Sequence, residues 1–224
     1  IKLEKMVAKV EGGAIDGDGT GLVATTEQCL LNPNRNPGLD RAAMEARLSE
    51  QLGISKVIWL PRGCYLDETD GHVDNLCCFV GPAEVALTWC DDAKDPEYQI
   101  CRDALAVLEA STDARGRPFT VHRLPQPGPL FIGEDEASGI DRLSSSHPRQ
   151  PGDRMAASYV NFYIGNRVVV MPLLDERRDS EARAILARLF PERRVIGVPA
   201  REILLGGGNV HCITQQQPRD PRRT

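Results

Sequence analysis

The sequence predicts an α/β fold made of repeated units. Three observations carry that prediction: apolar hairpin patterns, an amphipathic helix after each, and a short apolar strand closing each unit. In the first unit, Met6 to Gly13 and Leu22 to Leu31 carry the hairpin, linked through the turn-rich Asp16-Gly17-Asp18-Gly19. Asp40 is placed to cap a helix in which Met44, Leu48 and Leu52 share a face, Gly53 ends it, and Lys56 to Leu60 is the closing strand.

The second unit has strands from Val73 to Val80 and Glu84 to Trp89. Its helix is entered through Asp95-Pro96, with Ile100, Ala104 and Leu108 inward, and Phe119 to Leu124 closes it. The third has Ser158 to Ile164 and Val168 to Pro172 around a Gly165-Asn166 turn, then a helix with Ala182, Ile185, Leu186 and Leu189, then Arg194 to Val198. Between units two and three, Pro125 to Pro151 is rich in Pro, Gly, Ser and charge and reads as a long loop. It either moves freely or orders over a site. The last residues, Pro218 to Thr224, read as frayed.

Three such units are too few to close a ring, so an open edge is expected, which further units or a second copy of the chain would cover. The chain also starts at Ile1, without an initiator Met, and enters a β pattern almost at once. Residues 1–224 are therefore expected to be part of a larger domain.

Composition narrows the functional classes. The 224 residues are 41% hydrophobic and 26% charged with a formal net charge of −5, the profile of a globular chain. The acidic balance offers no basic stripe for nucleic acid and favours cationic ligands. No apolar run approaches the roughly 20 residues that span a bilayer, so no membrane association is expected. Seven cysteines, odd in number and scattered, fit a reducing compartment and a cytoplasmic location.

Three polar clusters lie beside glycine at the ends of expected strands: Glu11-Gly12-Gly13, Asp70-Gly71-His72-Val73-Asp74-Asn75, and Gly206-Gly207-Gly208-Asn209-Val210-His211-Cys212. If the units surround a common centre, Glu11, His72, Asp74 and Cys212 share one cleft. Strand alternation would turn His72 and Asp74 to the same side, and would put Cys212 in the cleft with His211 facing away. Each residue has a plainer alternative. A free cysteine is usually a small buried hydrophobe, a histidine between carboxylates is often a satisfied structural group, and Glu11 could be a turn residue. Cys29, Cys64, Cys77, Cys78, Cys90 and Cys101 read as packing residues. None has zinc-ligand spacing with a histidine, so no metal is expected.

The same segments resemble a known family. Glu11-Gly12-Gly13, then Thr25-Thr26-Glu27-Gln28-Cys29-Leu30-Leu31-Asn32 and Asn34-Arg35-Asn36-Pro37, is similar to the agmatine deiminase pattern. So are Trp59-Leu60-Pro61, Asp67 to Asn75, Ala157 to Tyr163, and the tail from Gly207 to Gln217. The resemblance covers nearly the whole chain. It implies an α/β propeller of the pentein type built of ββαβ blades, about three of five being present here. It also implies hydrolysis of the guanidinium compound agmatine to N-carbamoylputrescine and ammonia, in putrescine biosynthesis. In that scheme Cys212 is the nucleophile, His72 the general acid and base, Glu11 a carboxylate paired with it, and Asp74 a clamp on the guanidinium. Gly207, Gly208 and Asn209 would border the substrate, and no cofactor is required.

Two departures stand out. No Trp-Met-Arg-Asp-like motif occurs, so a second guanidinium-binding aspartate is not supplied by this chain. Ala14-Ile15-Asp16 stands where the family usually has a serine and a histidine. A bacterial-type peptidylarginine deiminase or another guanidine hydrolase would use the same four residues, whereas a non-catalytic propeller that binds a partner would lack the nucleophile.

Overall fold

The computed structural model describes residues 8–140 and 148–217. The frayed tail expected from Pro218 onward, the first residues of the first expected strand and part of the 125–151 loop lie outside these.

Three three-stranded sheets form the framework, and each repeats one topology. In the first, β1 (Ile15–Gly17) pairs antiparallel with β2 (Leu22–Thr26), which pairs parallel with β3 (Lys56–Leu60). In the second, β4 (Cys77–Gly81) and β5 (Glu84–Trp89) are antiparallel, and β6 (Thr120–Pro125) joins β5 in parallel. Two short strands, β7 (Leu130–Phe131) and β8 (Arg154–Met155), pair with each other before the third sheet. That sheet places β9 (Tyr163–Ile164) antiparallel to β10 (Val168–Leu173), with β11 (Arg194–Pro199) parallel to β10. A parallel pair needs a crossover, and a helix provides it each time.

The short helix α1 (Glu27–Leu30) follows β2, with the Thr26 hydroxyl accepting from the Cys29 N–H. The crossover α2 (Arg41–Leu52) starts where the Asp40 carboxylate accepts from the Ala43 N–H at 2.8 Å. It ends at Gly53, whose φ of 70° is the left-handed cap expected from the sequence. The crossover α3 (Glu97–Glu109) begins just after Pro96, and α5 (Asp179–Leu189) serves the third sheet.

The apolar faces of these helices build the core between the sheets. Ile100, Ala104 and Leu108 of α3 pack with Leu22, Ala24, Ile58 and Leu60 of the first sheet and Val85 and Leu87 of the second. Ala182 and Leu186 of α5 do the same between the second sheet, through Ala86 and Leu124, and the third, through Val169 and Met171. Met44 and Leu48 of α2 cover the other side of the first sheet against Val23 and Trp59. Each shared core locks neighbouring units together, because burial of large apolar side chains contributes about 1.5–3 kcal/mol apiece.

The differences from the expected pattern cluster at the polar segments. The first strand is Ile15–Gly17, because Glu11 is followed by a 3₁₀ turn, Gly12–Ala14, closed by the Ala14 N–H on the Glu11 carbonyl at 3.0 Å. Val73–Asn75 is likewise a 3₁₀ turn, and the strand begins only at Cys77. Of the strand expected from Ser158, only Tyr163–Ile164 is a ladder. Ser158 and Asn161 direct their side chains to Thr88 and Asp74 instead. The segment expected as a loop carries β7 and α4 (Glu134–Gly139), and its Leu130, Ile132 and Ala137 pack with Met155, Leu204 and Leu205. The last helix, α6 (Arg201–Leu205), leads into the glycine-rich tail.

Candidate active site

Two turns and the tail bring the candidate residues together. Asp70 and Gly71 take positive φ, 61° and 84°, which reverses the chain just ahead of His72. Gly71 lies in backbone contact with Gly63, closer than any side chain would permit. The Thr26 hydroxyl anchors the reversal by donating to the Gly71 carbonyl at 2.6 Å. His72 and Asp74 are thereby held buried, 7% and 4% exposed.

Gly13 passes directly against this pair. A Cβ on Gly13 would lie 2.6 Å from both His72 Nδ1 and Asp74 Oδ2, so the two groups meet around it. Only a glycine lets the Glu11 turn approach so closely. His72 Nε2 points the other way, to Glu11 Oε2 at 3.6 Å.

The tail reaches the same place through a 3₁₀ turn, His211–Ile213. Cys212 Sγ lies 3.4 Å from Asp74 Oδ2 and 3.3 Å from the Asn161 amide nitrogen, which donates to it. The helical turn also brings His211 into the site, contrary to strand alternation: its Nδ1 is 2.9 Å from Asp74 Oδ2. Among the described residues the side-chain partners of the Cys212 sulfur are therefore Asp74 and Asn161, not His72.

Glu11, His72, Asp74 and Cys212 thus gather around Gly13, but as two pairs, Cys212 with Asp74 and Glu11 with His72. Gly208 borders the sulfur, since a Cβ there would be 3.1 Å from the Cys212 Cβ. Gly207 and Gly208 also line an open cleft of ≈ 510 Å³ with Cys212 and Ile213. Asn209 differs from expectation. It is fully buried, its amide donating to the Ser158 carbonyl at 3.2 Å and accepting from the Val210 N–H at 2.8 Å. Its side chain shapes the loop and does not line the cleft.

The sequence reasoning missed Asn161, Arg35 and His211 as site residues. Asn161 joins three segments, donating also to the Asp74 carbonyl at 3.3 Å and accepting from the His211 N–H at 2.8 Å. Arg35 grips Glu11 at 2.8 Å and the Thr69 carbonyl at 3.0 Å. Both lie in segments already notable for their family resemblance, which was the available signal. Cys29 was assigned to packing. In the fold its sulfur, one Glu11 oxygen and one His72 nitrogen all lie within 4.8 Å of one another. All seven cysteines are free thiols.

Electrostatics follow from burial and charge. Burial pushes the Cys212 thiol up to about 11, and the Asp74 carboxylate adds to the rise. The hydrogen bond that His211 donates to Asp74 raises the imidazole against the opposing effect of its burial. Burial alone would raise Glu11, but the hydrogen bond and charge of Arg35 outweigh it and hold the carboxyl below its usual range. Burial also lifts Asp16 to about 7 and Cys29 to about 12. Two buried atoms in the site have no hydrogen-bond partner among the described residues, His72 Nε2 and Asp74 Oδ1. An unpaired buried acceptor beside a sulfur suits a ligand that brings N–H donors and positive charge.

Comparison with known proteins bears on this geometry directly. The family model described as Porphyromonas-type peptidyl-arginine deiminase matches residues 2–218. The chain belongs to that family. Within the Porphyromonas-type peptidyl-arginine deiminase family, its relatives include an agmatine deiminase of Pseudomonas aeruginosa, strain LESB58, 56% identical over 96% of this chain and 58% of the relative. Another, from Ectopseudomonas mendocina, is 57% identical over 93% of this chain and 57% of its own length. Among solved structures, an agmatine deiminase of Enterococcus faecalis superposes with a TM-score of 0.87 at 41% identity, covering 93% of this chain and 57% of that one. A C. jejuni agmatine deiminase with substrate bound gives 0.78 at 30% identity, over 94% and 56%. The agmatine deiminase resemblance and the pentein-type α/β fold expected from the motifs are both upheld. The chain spans 58% or less of the length of these relatives.

Among the described residues, no helix is long and apolar enough to cross a membrane.

Proposed function

We propose that this chain is the nucleophile-bearing part of an agmatine deiminase, about three of five propeller blades, acting on agmatine in the cytoplasm. The observation that carries the proposal is the Cys212 sulfur 3.4 Å from Asp74, whose other carboxylate oxygen is buried and unpartnered. A planar cation held edge-on by that carboxylate presents its central carbon to the sulfur. The substrate's charge also favours the thiolate, offsetting the burial that keeps the free thiol protonated.

The sulfur attacks the guanidinium carbon to give a tetrahedral adduct, and His72 protonates the leaving nitrogen, which departs as ammonia. A thiouronium ester remains on Cys212. Water, losing its proton to the same imidazole, attacks that carbon and displaces the sulfur, giving N-carbamoylputrescine. Glu11 orients His72 from the far side, and His211 holds Asp74 in place through its Nδ1, 2.9 Å from Oδ2. Gly207 and Gly208 leave room for the substrate next to the backbone.

The test is mass spectrometry of a quenched steady state with agmatine, together with turnover of Cys212→Ser. A covalent adduct on the Cys212 peptide, and loss of at least about 10³-fold in rate in the variant, are expected. Turnover near that of the parent would remove Cys212 from its role. Preference for free arginine or peptidyl-arginine over agmatine would keep the chemistry and overturn the substrate.

A further inference from the structure

The Glu11 side of the site holds a second sulfur besides Cys212. The Cys29 sulfur is fully buried, is not hydrogen-bonded through its thiol among the described contacts, and lies within 4.8 Å of a Glu11 oxygen and a His72 nitrogen. His72, 7% exposed, has its Nε2 unpartnered among the described residues and aimed into this group. Three donors of different type therefore converge on one point from three separate segments: the turn before β1, helix α1, and the turn before β4.

We propose that Glu11, Cys29 and His72 form a binding site for a borderline-soft divalent metal ion, zinc above all, through which zinc shuts the catalytic site reversibly. Zinc takes thiolate, imidazole and carboxylate donors tetrahedrally, and three protein ligands with a fourth, open position is a common arrangement. With zinc–ligand bonds of about 2.0–2.3 Å, tetrahedral donors stand about 3.4–3.6 Å apart. The Glu11–His72 pair already stands 3.6 Å apart. The Cys29 sulfur, within 4.8 Å of both, is the donor that has to move closer. Arg35 can keep one Glu11 oxygen while the other turns to the metal. Binding releases the thiol proton to solvent, and the sulfur's electron pair becomes the metal bond.

The donor set argues against a harder ion. Magnesium and calcium prefer all-oxygen shells, while sulfur with imidazole selects zinc, copper or cobalt. The consequence follows from the His72 nitrogen. Once its Nε2 lone pair is on a metal, the imidazole can no longer take up and return a proton. The metal site itself stands without the hydrolase proposal; only the inhibition rests on it.

The experiment titrates the full chain with cobalt chloride as a spectroscopic stand-in for zinc, following the near-ultraviolet sulfur-to-cobalt band, and displaces it with zinc chloride. A saturable band equivalent to a single cobalt per chain, retained in Cys212→Ser and lost in Cys29→Ser, is expected. No band in the parent chain, a band lost in Cys212→Ser, or one kept in folded Cys29→Ser would each overturn the site. Should Cys29→Ser fail to fold by circular dichroism, X-ray absorption of zinc-loaded Cys212→Ser decides: a sulfur with nitrogen and oxygen neighbours supports the site, and an all-nitrogen and oxygen shell overturns it. Separately, the zinc concentration that halves agmatine turnover should rise at least about tenfold in folded Cys29→Ser or Cys29→Ala, with chelator restoring the parent rate. A cobalt band with equal zinc sensitivity in parent and variant would leave the metal site standing and refute its inhibitory role; no turnover of agmatine at all would count against the hydrolase proposal alone.

Discussion

The two cysteines that border the site sit in opposite surroundings. Cys212 is exposed at the residue level and its sulfur is engaged by Asn161 and Asp74. Cys29 is fully buried, with its backbone N–H on Thr26 and its sulfur beside Glu11 and His72. Burial raises both thiols, Cys212 to about 11 and Cys29 to about 12. The contrast teaches that a thiol's proton affinity alone does not mark a nucleophile. In the proposed mechanism, access and a neighbouring group that would hold an electrophile decide which sulfur reacts, and of the two Cys212 is the exposed one with a carboxylate beside it.

Alkylation would break this comparison most decisively. With neutral iodoacetamide, Cys212 should react about tenfold faster for each pH unit between 7 and 9, since the reactive thiolate is still a minor form below about 11. Cys29 should stay unmodified in the native chain, as read by peptide mapping. A cationic haloacetamidine, which brings its own charge to Asp74, should label Cys212 at pH 7 far faster than iodoacetamide does. A Cys212 rate already flat at pH 7 would mean a thiolate in the free site, and the substrate-assisted ionisation would be lost.

Gly13 is where the two halves touch, so Gly13→Ala should cost turnover more than any change outside Glu11, His72, Asp74 and Cys212. Its Cβ must displace Asp74 or His72, and an ångström of misplacement can lower a rate by about 10²-fold. The far-ultraviolet dichroism should be unchanged, because Gly13 does not need positive φ. Full activity in that variant would show that the two halves do not work as one site. Asn161→Ala acts on the Cys212 half alone. It removes a donor that favours the thiolate, so turnover should fall about tenfold to 100-fold and iodoacetamide labelling at fixed pH should slow, with Cys29 unaffected.

How much of this was legible in the sequence divides along the same line as the chemistry. The crossover helices and the strands from Lys56, Glu84 and Val168 were readable because their apolar periods match what they bury. The turns were not. Gly12-Gly13-Ala14 behind Glu11, Val73-Asp74-Asn75 and His211-Cys212-Ile213 fold as 3₁₀ turns, since the polar side chains there bond across the chain and not to a ladder partner. Strand alternation applied to them placed His211 outside the site, whereas it touches Asp74. Cys29, Arg35 and Asn161 were out of reach for a different reason. Their roles depend on contacts between segments 18 to 87 residues apart, which no local period encodes.

The smallest expected effect concerns Asp16, which lies beside the site behind the Glu11 turn. Its Oδ2 accepts from the Phe79 N–H at 2.5 Å, yet burial outweighs that bond, and the negative charges of Asp74 and Asp18 push the same way, lifting the carboxyl from 3.8 to about 7. His211 opposes them. A raised acid binds its proton more tightly in the folded state than in the unfolded one. Between pH 3.8 and about 7 the fold therefore loses stability as pH rises, and above that the cost is constant. Asp16→Asn keeps an acceptor for Phe79 and removes the charge. Urea denaturation should find the variant about 1–2 kcal/mol more stable than the parent at pH 8, the full shift being discounted for partial exposure, and indistinguishable at pH 3.5. A variant no more stable at pH 8 would mean that Asp16 is already ionised at no cost, with His211 as its compensating charge. Asp74 would then share that cation, and the two halves of the site would be electrostatically coupled through Asp16 as well as through Gly13.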